Sequence, residues 1–508
     1  MPSRRLMILL VCVALLTSSC TSVGLPVTDG KPSVTLPPAE VSFVAPIGDA
    51  ALEYTDTATL YLPNRDGISL TPVETELSFS LVRPAAESII RALIAHAGNR
   101  DVSALGGSVR LSLYGANPVE ISRNVATVNL SASALKLERE QLYIVCQAIA
   151  NTLTELDEIQ FVNVLVVDKP VGLDIANTLP MGAFKQASFK DLGAVYDQLL
   201  SRKANAGDSA ATPPFSADVA LYFPLQNSDG LVCEARSLSF ENQLLPDMIT
   251  SILRELGAGP FDASIASTTL PLLADLLVAP PAVSENADAG GYVISLDFAH
   301  NLDDMLDAYG ITRNQCTASL CYTLCSFFPN VTGLSLSING VSVNKSENEG
   351  DEENSIYLRS DFAELIYDYC TLYFTDAQTQ KLVPTRRPIA YYQRTNPRVL
   401  LCELAEGPRP EDSISGLLPV MPEGSITDTT ILGFALSKGT LLTNFAPSFI
   451  KVGQQTEPEQ ERLLAYAIVN TLCMNENVKT VCFFQSGTQF EGFGGDIYWS
   501  GLFYPIPD

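Results

Sequence analysis

The sequence predicts an α+β protein made of three tandem small α/β units, each a short mixed sheet with two helices packed on one face. Three observations predict it. The strand-like motif Leu60-Tyr61-Leu62-Pro63 returns as Leu221-Tyr222-Phe223-Pro224 and as Leu372-Tyr373-Phe374-Thr375, at intervals of 161 and 151 residues. Self-similarity at near-constant spacing is the mark of one supersecondary unit used repeatedly. In each copy a polar turn and a second strand then lead to a helix with proline in its first turn, at Pro84, Pro246 and Pro397. Proline there loses no helical hydrogen bond and presets φ. The later half of each copy reads strand, amphipathic helix, strand.

The elements follow in chain order. The polar turns are Asn64–Gly67, Asn227–Gly230 and Asp376–Lys381. Asp66-Gly67 and Asp229-Gly230 suit tight hairpins, because aspartate caps the turn and glycine accepts positive φ. The first helices carry Ile89, Ile90 and Leu93; Ile249, Ile252, Leu253 and Leu256; and Leu400, Leu401 and Leu404 at helical spacing. They stop at Gly259-Pro260 and Gly407-Pro408, with Gly98-Asn99 at the matching offset in the first copy. The next strands are Val125–Leu130, Tyr292–Phe298 and Thr440–Phe445. The second helices end at Asn151-Thr152-Leu153, Tyr322-Thr323-Leu324 and Asn470-Thr471-Leu472. The last strands are Phe161–Val167, Leu334–Ile338 and Val481–Phe484, and loops close each copy on Phe184, Phe362 and Phe503. The units span residues 51–190, 215–365 and 368–508, and 191–214 is a linker with a short helix.

The N-terminus is organised differently. Arg4 and Arg5 precede an apolar run, Leu6–Leu16, and Thr17-Ser18-Ser19-Cys20 supplies small residues before a cysteine. This is the layout of a secretory signal peptide, and it resembles the bacterial lipoprotein type, which implies cleavage after residue 19 and lipidation of Cys20. The usual leucine three residues before the cysteine is Thr17 here, with Leu16 one place earlier. Eleven apolar residues fall short of the ~20 that span a bilayer. Residues 20–50, with Pro26, Pro32, Pro37, Pro38 and Pro46 among small residues, read as a linker that holds the body off the membrane.

Composition narrows the function. The 508 residues are 46% hydrophobic, and 31 Lys and Arg against 57 Asp and Glu leave a net charge of −26. Nucleic acid is excluded as a partner, since binding a polyanion requires surplus cations. Two histidines, His96 and His300, rule out a histidine-rich metal site and read as polar helix-end residues. Nine cysteines remain beyond Cys12 and Cys20, an odd number, and several fall on apolar helix faces. They read as buried thiols. No GxSxG, HExxH, P-loop or DxDxDG pattern is present. Asn151 and Asn470 read as ties to neighbouring backbone, Asp303, Asp304 and Asp307 as helix-start acids, and Glu347–Glu353 as a solvated loop. The residues common to all copies read as apolar, glycine or proline, which maintain a fold, so no catalytic residue, metal or cofactor site is assigned.

The ordered series LYFP…DG, Pro-helix-Gly-Pro, strand, helix-NTL and strand, given three times behind a lipoprotein-like leader, resembles the GerMN domain family of spore-formation and spore-germination lipoproteins. The first copy lacks the Gly-Pro, the third lacks the Asp-Gly, and the second has Tyr322 for the asparagine of NTL. The resemblance implies a non-catalytic protein, lipid-anchored on the extracytoplasmic face of the cell membrane, that serves as an interaction scaffold in sporulation or germination. Its partners would be envelope or sporulation-complex proteins, with the membrane reached through the lipid anchor and self-association left open. The alternative is an envelope receptor for a small molecule or wall fragment, which requires a pocket with convergent polar groups.

Overall fold

The computed structural model describes residues 43–187, 191–204, 214–262, 269–286, 290–345, 355–454, 460–495 and 497–506. The leader, Cys20, most of the 20–50 linker and the acidic run 347–353 lie outside the described residues.

Strand β1 (Gly48–Ala51) precedes the first unit, which opens with a long hairpin, β2 (Glu53–Pro63) and β3 (Leu70–Ser80). Helix α1 (Ala85–Ala95) follows, then β4 (Val119–Ser122), β5 (Val125–Leu130), α2 (Arg139–Leu153), β6 (Phe161–Val166) and β7 (Lys169–Pro170). Helix α3 (Leu192–Ala204) fills the expected linker. The second unit repeats the order: β8 (Phe215–Pro224), β9 (Leu231–Phe240), α4 (Leu245–Gly257), β10 (Ala282–Glu285), β11 (Tyr292–Phe298), α5 (Leu302–Ala308), α6 (Arg313–Cys325), β12 (Val331–Ile338), β13 (Val341–Ser342) and β14 (Ile356–Tyr357). The third comprises β15 (Tyr367–Asp376), β16 (Leu382–Ala390), α7 (Pro397–Ala405), β17 (Leu417–Leu418), β18 (Ile431–Ser437), β19 (Thr440–Phe445), α8 (Ile450–Gln454), α9 (Glu461–Leu472), β20 (Thr480–Gln485), β21 (Thr488–Gln489) and β22 (Leu502–Phe503).

The chain is α+β, and each unit holds two sheets rather than one, because the opening hairpin is not hydrogen-bonded to the mixed sheet behind it. In that mixed sheet a parallel pair (β5/β6, β11/β12 or β19/β20) is flanked by antiparallel neighbours. A parallel pair needs a long crossover, and α2, α6 and α9 supply it. Helix α6 is buried from Gln315 to Cys325, and its polar residues are satisfied within the helix and by β8: Thr312 and Gln315 form a capping box, Thr317 bonds the Arg313 carbonyl, and Ser319 donates to the Tyr222 carbonyl.

Register shows which residues are equivalent. Val162 lies opposite Phe184, Leu334 opposite Tyr357 and Val481 opposite Phe503. Tyr357, not Phe362, therefore closes the second unit; Phe362 lies in a 3-10 turn beyond it and stacks on Tyr357. Pro246 and Pro397 occupy the first helical turn as expected, whereas Pro84 is the extended residue just before α1.

The cores divide unequally. Units 1 and 2 share one continuous apolar core, and unit 3 has its own, joined by Leu52 and Leu81, which flank the first unit's hairpin. Residues 43–50 are not linker. Strand β1 pairs in parallel with β18 of the third unit, Asp49 forms a bidentate pair with Arg398 at 2.7 and 3.0 Å, and Asn444 Nδ2 donates to the Pro46 carbonyl at 2.8 Å. Gly433 permits this approach, since a Cβ there would lie 2.4 Å from the Gly48 carbonyl oxygen.

Candidate functional site

Two polar side chains are common to all three units, contrary to the expectation that only apolar, glycine and proline residues recur. They are the tyrosine of the hairpin motif and the threonine at the end of the crossover helix. The Tyr61 N–H donates to Thr152 Oγ1 at 2.9 Å, Tyr222 to Thr323 at 3.1 Å and Tyr373 to Thr471 at 3.2 Å. The hairpin strand turns this N–H away from its partner strand, and the buried hydroxyl satisfies it where water cannot reach. The pair ties each hairpin to the crossover helix.

The neighbouring asparagines tie the other side. Asn470 accepts from the Ile506 N–H at 2.9 Å and donates to its carbonyl at 3.3 Å; Asn151 makes the same pair with Ala187, at 3.1 Å each way. Ile506 and Ala187 each lie three residues past the closing phenylalanine. Tyr322 cannot do this, and it faces another unit instead. Its hydroxyl reaches Glu120 of unit 1 at 3.4 Å, and Arg359 lies 4.4 Å above its ring while donating to Glu120 at 2.6 Å. Burial pushes the Glu120 carboxyl up, with Arg359 opposing, and the acid and tyrosines around Arg359 hold its guanidinium above its usual value against the lowering effect of burial.

Sequence reasoning missed a pair of buried arginines. Arg236 donates to Glu234 (2.6 Å), Glu255 (3.2 Å) and the Gly259 carbonyl (2.5 Å). Arg387 donates to Asp412 through two bonds of 2.8 Å, to Glu403 and to the Gly407 carbonyl at 2.6 Å. Both hold the glycine of a Gly-Pro at the end of the preceding helix. The first unit has Thr75 at the matching place in β3, so its Gly98 is followed by asparagine without loss of an arginine contact. The signal was present: each arginine lies 15 residues after its hairpin leucine, and a glutamate lies four before each Gly-Pro.

A cleft of about 620 Å³ opens between units 1 and 3, and matching parts of both line it. Unit 1 contributes Asp56–Thr59 of β2 and the loop after α2, with Glu155, Asp157 and Glu158. Unit 3 contributes Tyr369–Thr371 of β15 and the loop after α9, Met474–Asn477. Asp157 and Glu476 occupy equivalent positions, both exposed; the second unit has Phe328 there, wholly buried. Arg394 pairs with Glu158 at 2.5 Å and Asp368 at 2.7 Å, and the Tyr61 hydroxyl donates to Glu155 at 2.8 Å. Tyr54 is pushed up by burial and by Asp56 and Glu476, acids from both sides of the cleft.

Residues 59–172 and 371–491 match the family model described as Germane, sporulation and spore germination. The first and third units are Germane domains. Among solved structures, the tandem GerMN domains of the sporulation protein GerM from Bacillus subtilis are similar at 20% identity over 60% of this chain and 97% of that one, with a TM-score of 0.23. The first GerMN domain of that protein matches at 21% identity over 28% of this chain and 94% of that one, TM-score 0.21. A Clostridium perfringens protein termed a lipoprotein matches at 18% identity over 27% and 87%, TM-score 0.19. No curated protein sequence matches the chain.

The other singled-out residues take their places around these Germane domains. In the first, Asp66 Oδ1 accepts from Ile68 and Ser69 N–H groups and Gly67 has φ 77°, a turn and no more. In the third, Asp376 serves the same turn, and bonds from Thr379 and Gln378 hold its carboxyl below the usual range. Gly230, between them in the chain, is not in a positive-φ turn; a Cβ there would lie 2.5 Å from the Tyr367 ring. Asp303 pairs with Arg313 instead of capping α5, His96 Nδ1 accepts from the Gly98 N–H at a helix end, and His300 lies exposed before α5. All nine described cysteines are free, seven of them buried, and burial pushes Cys146, Cys316 and Cys370 up to about 12. Among the described residues no group of three or more His, Cys, Asp or Glu could hold a metal ion, and no helix is long and apolar enough to cross a membrane.

Proposed function

We propose that this Germane protein is a non-catalytic scaffold of the cell envelope, lipid-anchored through Cys20 on the extracytoplasmic face, that holds other proteins together during sporulation or spore germination. One observation carries the reading: the polar side chain that all three units use alike, the threonine of the crossover helix, is spent inside the fold on the motif tyrosine's N–H, while Asp157 and Glu476, which replace the second unit's buried Phe328, face solvent. A reaction centre would show the reverse, a shared constellation aimed into a cleft. Two acyl chains at ~0.8 kcal/mol per buried CH₂ would outweigh the repulsion of an acidic body from anionic lipid. Because β1 is seated on unit 3, the tether from Cys20 reaches the body there.

Crosslinking and pull-down of the tagged, membrane-attached protein from sporulating and vegetative cells tests the scaffold. Recovery of envelope-complex proteins in sporulating cells alone is the expected result. Equal recovery in both states, or capture of wall fragments, would favour the receptor reading, for which the 620 Å³ cleft is the candidate pocket.

A further inference from the structure

We propose that the cleft between the two Germane domains accepts an extended, lysine- or arginine-bearing segment of a protein partner, added along the outer edge of β2. This rests on the scaffold reading and names the surface it would use. Three observations carry it.

The first is an open edge. Strands β2 and β3 form a two-stranded sheet, and among the described residues no strand lies on the far side of β2. The bond from Tyr61 to Thr152 shows which backbone groups face outward, and in a strand these alternate, so Thr59 and Thr57 present theirs toward the cleft. The Thr57 N–H is held there by Asp56 Oδ1 at 2.7 Å, and an added strand would have to displace that carboxylate. Such an edge is a template for another chain.

The second is that the chain already fills the equivalent edge of unit 2 with an extended segment. Residues 181–185 lie along β8: the Ala183 N–H donates to the Asp218 carbonyl at 2.7 Å, and Gly182 packs so close that a Cβ would lie 2.7 Å from the same oxygen. Lys185 Nζ then pairs with the Asp218 carboxylate at 3.0 Å. Asp218 and Thr57 both lie four residues before their motif tyrosine. The occupant of this edge in unit 2 is thus an extended segment that places a lysine on an acid.

The third is charge. Asp56, Asp157 and Glu476 line the cleft exposed, while its Arg394 is already neutralised by Glu158 and Asp368; Arg83 is the other arginine in the lining. A partner strand with basic side chains complements this surface, and an acidic one is repelled. The four residues Asp56–Thr59 offer an edge of about 13 Å, room for a segment of similar length.

The test uses the full chain in detergent and a short fluorescein-labelled peptide alternating lysine and threonine, read by anisotropy, with a glutamate-for-lysine counterpart. The basic peptide is expected to bind and the acidic one not. Thr59→Pro removes one outward N–H, and the double variant Asp157→Lys with Glu476→Lys inverts the rim; each should weaken binding about tenfold or more. Glu285→Lys with Asp101→Lys, an equal charge change outside the cleft, should leave it within about twofold. Far-UV circular dichroism checks that Thr59→Pro folds, and the charge variant decides if it does not. No binding, or equal loss in rim and remote variants, overturns the inference. If the rim variant still captures its envelope partners in the pull-down, the cleft assignment fails and the scaffold stands; if the unmodified protein captures none, the scaffold itself fails.

Discussion

Units 2 and 3 run through the same elements with the same register in their parallel strand pair, yet they diverge at three matched positions. Where unit 3 has Asn470, tied to Ile506, unit 2 has Tyr322, stacked under Arg359 against Glu120 of unit 1. Where unit 3 exposes Glu476, unit 2 buries Phe328. Where Gly433 and Phe434 receive β1, with the Phe434 N–H donating to Asp49 at 3.1 Å, unit 2 has Pro280 and Pro281. Proline has no N–H to offer an added strand. Unit 1 has Pro118 at the glycine's place. The lesson is that one fold keeps the threonine tie between hairpin and crossover helix in every copy and rewrites the surfaces a neighbour covers. Asparagine suits a closing segment that must be held from within. Tyrosine and phenylalanine suit a face sealed by another unit, where apolar area removed from water contributes ~25 cal/mol per Å².

The largest expected effect tests the interior. Arg387→Ala leaves Asp412 buried without its partner and should cost unit 3 about 3–5 kcal/mol. Urea unfolding followed by Trp499, the only tryptophan and wholly buried in unit 3, reads that unit alone. Arg236→Ala in unit 2 should leave the Trp499 transition in place, and a shared shift would show that the units do not unfold separately. Gly433→Pro makes unit 3 resemble unit 2 at its edge. It should displace β1 at a cost of up to about 3 kcal/mol, seen as new protease cleavage within residues 43–51 while unit 2 stays intact. Retention of protection there would mean that the bonds of Asp49 with Arg398 and the Phe434 N–H, and of Asn444 with Pro46, seat the strand without the close approach at Gly433. The smallest effect sharpens the asparagine comparison: Asn470→Ala should cost about 1–2 kcal/mol in the Trp499 transition. Tyr322→Asn should not create the missing tie, and should instead loosen the contact between units 1 and 2, measured by hydrogen exchange at residues 119–122.

Much of each unit was legible along the chain because its determinants are local. The prolines before helices, glycines after them and apolar spacing of Ile249 to Leu256 act within a few residues of themselves. The roles of Asn151 and Asn470 were legible too, since a polar residue at a buried helix end has few uses. Tyr357 was passed over for Phe362 because only strand register separates two aromatics five residues apart. Residues 43–50 read as linker because a four-residue strand with glycine has no periodicity to detect; its partner is 385 residues away. Arg236 and Arg387 were overlooked because they recur in two units, not three.

By itself the sequence determined the threefold repeat, the element order in each copy and the acidic, two-histidine composition, all of which follow from backbone preference and side-chain patterning at short range. Only the tertiary structure decided that units 1 and 2 share a core, that β1 completes the third unit's sheet, and that equivalent faces of the two Germane domains meet across an open acidic cleft. Those arrangements depend on contacts such as Ser122 with Tyr367 and Arg359 with Glu120, separated by 245 and 239 residues. No local preference encodes them, because their free energy exists only once both surfaces have been built and brought together.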